Sequence, residues 1–214
     1  MYKNNKFIVV SVTAVMFGLL LQKMLRVDFP ICKNECDETY TVHFIHGSKV
    51  NPQCTLSGDR LGGTFGGHVE IEIDSFVYGF QFDDITNYHF IPQENFNCKF
   101  SRTPLCKWLD ENNQERMSSF VIPAKSTILT NLRNRYESQF LNPKYDYAVL
   151  GYRCTSSFLK EMLEAHGADY CDLRIFMNAL YPRQLRSRLL RLHNNENVSI
   201  GYYFQKGDTC REWE

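Results

Sequence analysis

The chain of 214 residues has no excess charge of either sign, with Lys plus Arg and Asp plus Glu at 24 each. It therefore lacks the broad electrostatic footprint of a nucleic-acid-binding protein, and nucleic acid is not expected as a partner. One local exception, Arg183, Arg186, Arg188 and Arg191 among Leu185, Leu189 and Leu190, has the spacing of a solvated helix face. There is no internal repeat and no low-complexity tract, so neither a solenoid nor a disordered chain is expected. No paired Cys-x-x-Cys blocks occur among the eight cysteines, and their spacings match no common zinc finger, so a zinc site is not expected. What is present is ordinary for a globular domain: 43% hydrophobic and 22% charged residues, in a length sufficient for one proper core.

The N-terminus carries the longest message about location. Lys3 and Lys6 precede Phe7 to Leu21, an uncharged run with only Ser11 and Thr13 as polar members. A basic region followed by such a run is an export signal. No small-x-small site follows it, and Met24 and Leu25 extend it with Lys23 snorkelling. Residues 1–26 are thus expected to be an uncleaved signal-anchor, with a cleaved signal peptide as the alternative. The body would then lie on the extracytoplasmic (periplasmic or extracellular) side, with a linker over 27–40 and one domain over 41–214. An oxidising compartment favours disulfides, and Cys32 with Cys36 and Cys98 with Cys106 are the local pairs.

Alternation marks the clearest hairpin. Val69, Ile71 and Ile73 alternate with His68, Glu70 and Glu72. Asp74-Ser75 offers a two-residue turn, and Phe76 to Phe82 returns. That register predicts Ile73 opposite Phe76, Ile71 opposite Tyr78 and His68 opposite Gln81. Gln81 across the strand and Glu70 two residues along are then the candidate partners for the imidazole. The stretch from 83 to 119, polar and interrupted by Pro92 and Pro104, reads as an insertion of short irregular pieces. A helix is expected from Ser126 to about Phe140, another from Ser156 to Ala165, and a last one over about 173–192 broken at Pro182. His43 and His46, three apart on a predicted strand, point to opposite faces and cannot share one ion.

Cys154 stands where a helix should begin, in Tyr152-Arg153-Cys154-Thr155-Ser156-Ser157. A helix N-terminus favours a thiolate through its dipole and its free N–H groups. A neighbouring imidazole can take the thiol proton, and His68 after Gly66-Gly67 is the candidate base. The predicted catalytic group is therefore Cys154 and His68, with Gln81 or Glu70 orienting the ring.

A histidine opening a strand in Gly67-His68-Val69-Glu70-Ile71, followed later by Cys154-Thr155-Ser156 at a helix start, resembles the circularly permuted papain-like group of the NlpC/P60 superfamily (YiiX/YaeF-type). The resemblance covers roughly residues 41–82 and 120–166. It implies an α+β fold with a small antiparallel sheet packed against the cysteine helix. It also implies thiol chemistry on amide, ester or thioester bonds without metal or cofactor, and a third group on the strand after the histidine, the place of Gln81. The expected function is a cysteine hydrolase acting on peptides, with peptidoglycan stem peptides as substrate. The alternatives are a Cys-His acyltransferase acting on lipid acyl groups and a non-catalytic papain-like binding module.

Overall fold

The computed structural model describes residues 27–32, 34–50, 67–82, 91–92, 98–148, 151–195 and 199–213. Its frame follows from period-two patterning. In β3 (His68–Ile73), Val69, Ile71 and Ile73 are buried while His68, Glu70 and Glu72 are half-buried, the alternation of a strand between unlike layers. Asp74, at φ 57°, makes the turn into β4 (Phe76–Phe82), and the ladder pairs Ile73 with Phe76 and Ile71 with Tyr78, as the two-residue turn requires.

β1 (Glu38–Ile45) pairs antiparallel with β3 on one side and with β6 (Met117–Ala124) on the other. β5 (Cys98–Pro104) and β7 (Gly201–Gln205) complete a six-stranded antiparallel sheet of order β5-β4-β3-β1-β6-β7. A separate ladder joins β2 (Ser48–Val50) to β8 (Arg211–Trp213). Five helices occur among the described residues: α1 (Leu105–Glu111), α2 (Ser126–Leu141), α3 (Cys154–Ala165), α4 (Asp172–Asn178) and α5 (Pro182–His193). The fold is α+β.

The two sheet faces are covered differently. Val42, Phe44, Ile71, Phe120 and Ile122 form the main core with Leu132 of α2, Leu159, Met162 and Leu163 of α3, and Leu185 and Leu189 of α5. On the other face a smaller cluster of Ile45, Val77, Trp108 and Met117 packs beneath α1, whose Leu105 N–H donates to the Ser75 carbonyl at the hairpin tip. The stretch read as irregular pieces thus supplies an edge strand and a helix. Its inward set in β5 is only Cys98 and Phe100, too short an alternation to stand out.

Inside the segment expected as linker, Val27 and Phe29 are buried. Phe29 stacks on Phe158 of α3, and the Val27 N–H donates to Asn178 Oδ1 at 3.1 Å. Arg188 of α5 donates to the Val27 carbonyl. The apolar run Phe7–Leu21 lies outside the described residues, and among the described residues no helix is long and apolar enough to cross a membrane.

Cys32 and Cys36 are joined, whereas no bridge joins Cys98 to Cys106, the second expected pair. β5 separates them: at about 3.3 Å per residue the strand sets Cys98 about 20 Å from its far end, well beyond disulfide reach.

Candidate active site

Two local devices bring His68 and Cys154 together. At Gly67 the backbone has φ +90°, and a Cβ there would collide with the Ile45 carbonyl and lie 2.8 Å from the Gly47 nitrogen. Only glycine lets the incoming chain pass that close to the end of β1, so His68 is delivered at the start of β3. Cys154 is the first residue of α3. Ser156 Oγ accepts the Arg153 N–H at 2.9 Å and so caps the turn. The first-turn N–H groups, that of Cys154 included, have no helical carbonyl to bond. α3 packs against β3, which sets the cysteine at the histidine's end of that strand.

The two side chains stand close enough for each to favour the other's charged form. Burial pushes the Cys154 thiol up, but the His68 charge and hydrogen bond, the Thr155 hydroxyl at 3.7 Å and the Val69 backbone N–H outweigh it and bring the pKa down to about 7. Burial likewise pulls His68 down, yet the thiolate and then Glu70 raise it to about 10. Each group favours the other's charged form, so at pH 7 about half of the thiol stands ionised beside an imidazolium, and more of it above that pH. This ion pair is lost on the acid side as pH falls through about 7, where the thiolate takes up a proton. It is lost on the alkaline side as pH rises through about 10, where His68 gives its proton up.

His68 Nε2 stands 3.6 Å from Glu70 Oε1, an ion-pair distance just long of a hydrogen bond. Burial pushes the Glu70 carboxyl up. His68, the Trp108 indole N–H donating to Oε2, and the charge of His43 together hold it below its ordinary value.

The paired positions of β3 and β4 end at Glu70 with Gly79, two residues short of His68, and Gln81 pairs with Lys99 of β5. No hydrogen bond joins it to the ring, and Glu70 is the group that approaches Nε2.

Sequence reasoning missed Trp108 and Gly79. Trp108 sits in the stretch read as irregular, with nothing nearby to flag it. Gly79 carried a usable signal: glycine inside a strand marks a close approach, and a Cβ there would collide with Glu70 Oε1 and meet Ser101 Oγ at 3.0 Å. Pro92 presses on Gly151, three residues before Cys154, at 2.8 Å from where a Cβ would stand.

The other histidines of the sheet are held otherwise. His43 Nδ1 bonds Ser119 Oγ at 2.8 Å and Nε2 bonds Glu72 Oε2 at 3.1 Å, while its ring lies 4.5 Å from that of Trp108. Ser119 sits mid-strand with its backbone in the β-ladder. His46 Nε2 bonds Ser118 Oγ at 2.9 Å. Among the described residues no group of three or more His, Cys, Asp or Glu side chains could hold a metal ion. No protein-family model, curated protein or solved structure matches this chain.

Proposed function

We propose that the protein is a thiol-dependent hydrolase of amide (peptide) bonds, with Cys154 as nucleophile, His68 as acid and base, and Glu70 as the group that orients His68. What carries this reading is the placement of Cys154 as the first residue of α3, which packs on the strand that His68 opens, where each group favours the other's charged form. A structural core cysteine has no need of such a partner. Cys154 is also free, as is Cys171, so the thiol is not spent in a bridge.

In the proposed reaction the Cys154 sulfur attacks the carbonyl carbon, and a C–S bond forms as the carbonyl π pair moves onto oxygen. The Cys154 backbone N–H faces that oxyanion. The tetrahedral species collapses, the C–N bond breaks, and the leaving amine takes the proton held by His68. His68, now neutral, removes a proton from water, whose oxygen attacks the thioester. The acid departs and the thiolate and imidazolium are restored.

A permuted papain-like fold agrees with the order of the two half-sites, His68 on a strand before Cys154 on a helix, and with the antiparallel sheet against α3. The basic and apolar N-terminal sequence supports a membrane anchor with the domain on the extracytoplasmic side, where peptidoglycan stem peptides are the amide substrate at hand. The test is turnover of an activated ester or short peptide by the full chain. Cys154→Ala abolishes it without unfolding the domain, and retained turnover would refute the proposal.

A further inference from the structure

Glu70 is a carboxylate half-sunk in the sheet's second face, opposite a glycine in the middle of a strand. Each feature alone is unfavourable. A carboxylate out of water needs partners, and a strand-interior glycine gives up packing and chain entropy. Both fall at one place, and a third residue converges on it. Trp108, only 3% exposed, reaches down from α1 and donates its indole N–H to Glu70 Oε2.

We propose that Trp108 and Gly79 are positioning residues that aim the Glu70 carboxylate at His68. Trp108 fixes one oxygen, and the missing side chain at Gly79 leaves the space that the other oxygen occupies on its way to His68 Nε2. The indole is itself fixed. It packs with Ile45, Val77 and Met117, and its ring lies 4.5 Å from that of His43, which Ser119 and Glu72 hold on its two nitrogens. The groups facing the carboxylate are thus His68 from its own strand, His43 from β1, Trp108 from α1, and Ser101 of β5 beside Gly79. A phenylalanine at 108 would fill the same apolar space, but only tryptophan supplies the N–H. The proposal rests on the Cys154–His68 reading and extends the site to α1, outside both half-sites.

The test reads Cys154 alkylation by iodoacetamide in the full-length chain in detergent, with each cysteine mapped by mass, across pH. The variants are Trp108→Phe, Gly79→Ala, Glu70→Ala and the two doubles that pair each of the first two with Glu70→Ala. Each of the first two slows labelling at pH 6 about fivefold, within the range for groups that share one network, and moves the pH midpoint upward. In the Glu70→Ala background neither adds a further loss, because the group they position is gone. A merely structural role would persist in that background, so equal losses with and without Glu70 overturn the proposal. Unchanged labelling in the single variants overturns it as well. A wild-type midpoint at the ordinary thiol value would instead remove the Cys154–His68 reading beneath it. Thermal melts check folding. Trp108→Phe and Gly79→Ala reach the carboxylate from different elements, so either alone decides should the other fail to fold.

Discussion

Replacing His68 by alanine removes the cation that holds the Cys154 proton off, and the size of the effect follows from the site. With the ring present the thiol lies at about 7 against an ordinary value of 9.0. At pH 6 that difference raises the thiolate fraction about 90-fold, from about one in a thousand to about one in eleven. A less basic thiolate is also a poorer nucleophile. With a Brønsted slope of about 0.4–0.5, the same drop in basicity returns roughly six- to tenfold of the gain. The net expectation is labelling about tenfold faster in the wild type than in His68→Ala at pH 6, narrowing toward high pH. Because burial alone pushes this thiol up, the variant's midpoint lies at or above 9.0. Cys154 is 5% exposed, so its absolute rate is low, but the pH midpoint and the ratio between variants are insensitive to a constant access factor. Cys106 and Cys171, both exposed, serve as references in the same molecule. A common midpoint for wild type and variant would refute the ion-pair argument.

Two further predictions concern the scaffold that holds the site. Glu161 of α3, with no exposed side-chain surface, accepts hydrogen bonds from Arg135 at 2.6 Å, Gln139 at 2.8 Å and Tyr145 at 2.6 Å. Glu161→Ala strands those donors and is expected to cost about 3 kcal/mol in urea unfolding, and a loss under 1 kcal/mol would show that the network is not holding α2 to α3. Gly67→Ala, with backbone in the left-handed region and no room for a Cβ, is expected to cost ~4 kcal/mol or more, whereas Gly167→Ala, at φ +74° with nothing within 4 Å, costs only about 1–2 kcal/mol. Equal losses at the two glycines in parallel melts would contradict the close approach at Gly67.

Local rules carried the parts of the structure whose signals lie close together in the chain. The β3–β4 register followed from alternation and a two-residue turn, and the helix expected from Ser126 to about Phe140 runs over Ser126–Leu141. Cys154 opens α3 in a polar first turn, although the structure buries Thr155, Ser156 and Ser157 rather than exposing them. What escaped depended on distant contacts. β5 shows too few inward apolar residues to read as a strand, yet it pairs with β4 along its whole length. The break expected at Pro182 is there, but it separates two helices, α4 and α5, with Pro182 opening the second in the position where its missing N–H is harmless. Gln81 was expected opposite His68, but the paired positions of β3 and β4 stop at Glu70 with Gly79, and register states which residues stand opposite, not which side chain reaches. Glu70 reaches because Gly79 makes room and Trp108 holds it, and both facts belong to the folded sheet.

The central claim, that Cys154 is a nucleophile driven by His68, is tested most directly by the mass of the protein during turnover. The full chain is mixed with p-nitrophenyl acetate at pH 7, quenched in acid within the first turnovers, and its acetylated cysteines are mapped. The account predicts one acetyl thioester on Cys154, formed ahead of any on the exposed Cys106 and Cys171, labile to hydroxylamine and absent in His68→Ala. Acetyl spread over the exposed thiols while Cys154 stays bare would contradict it.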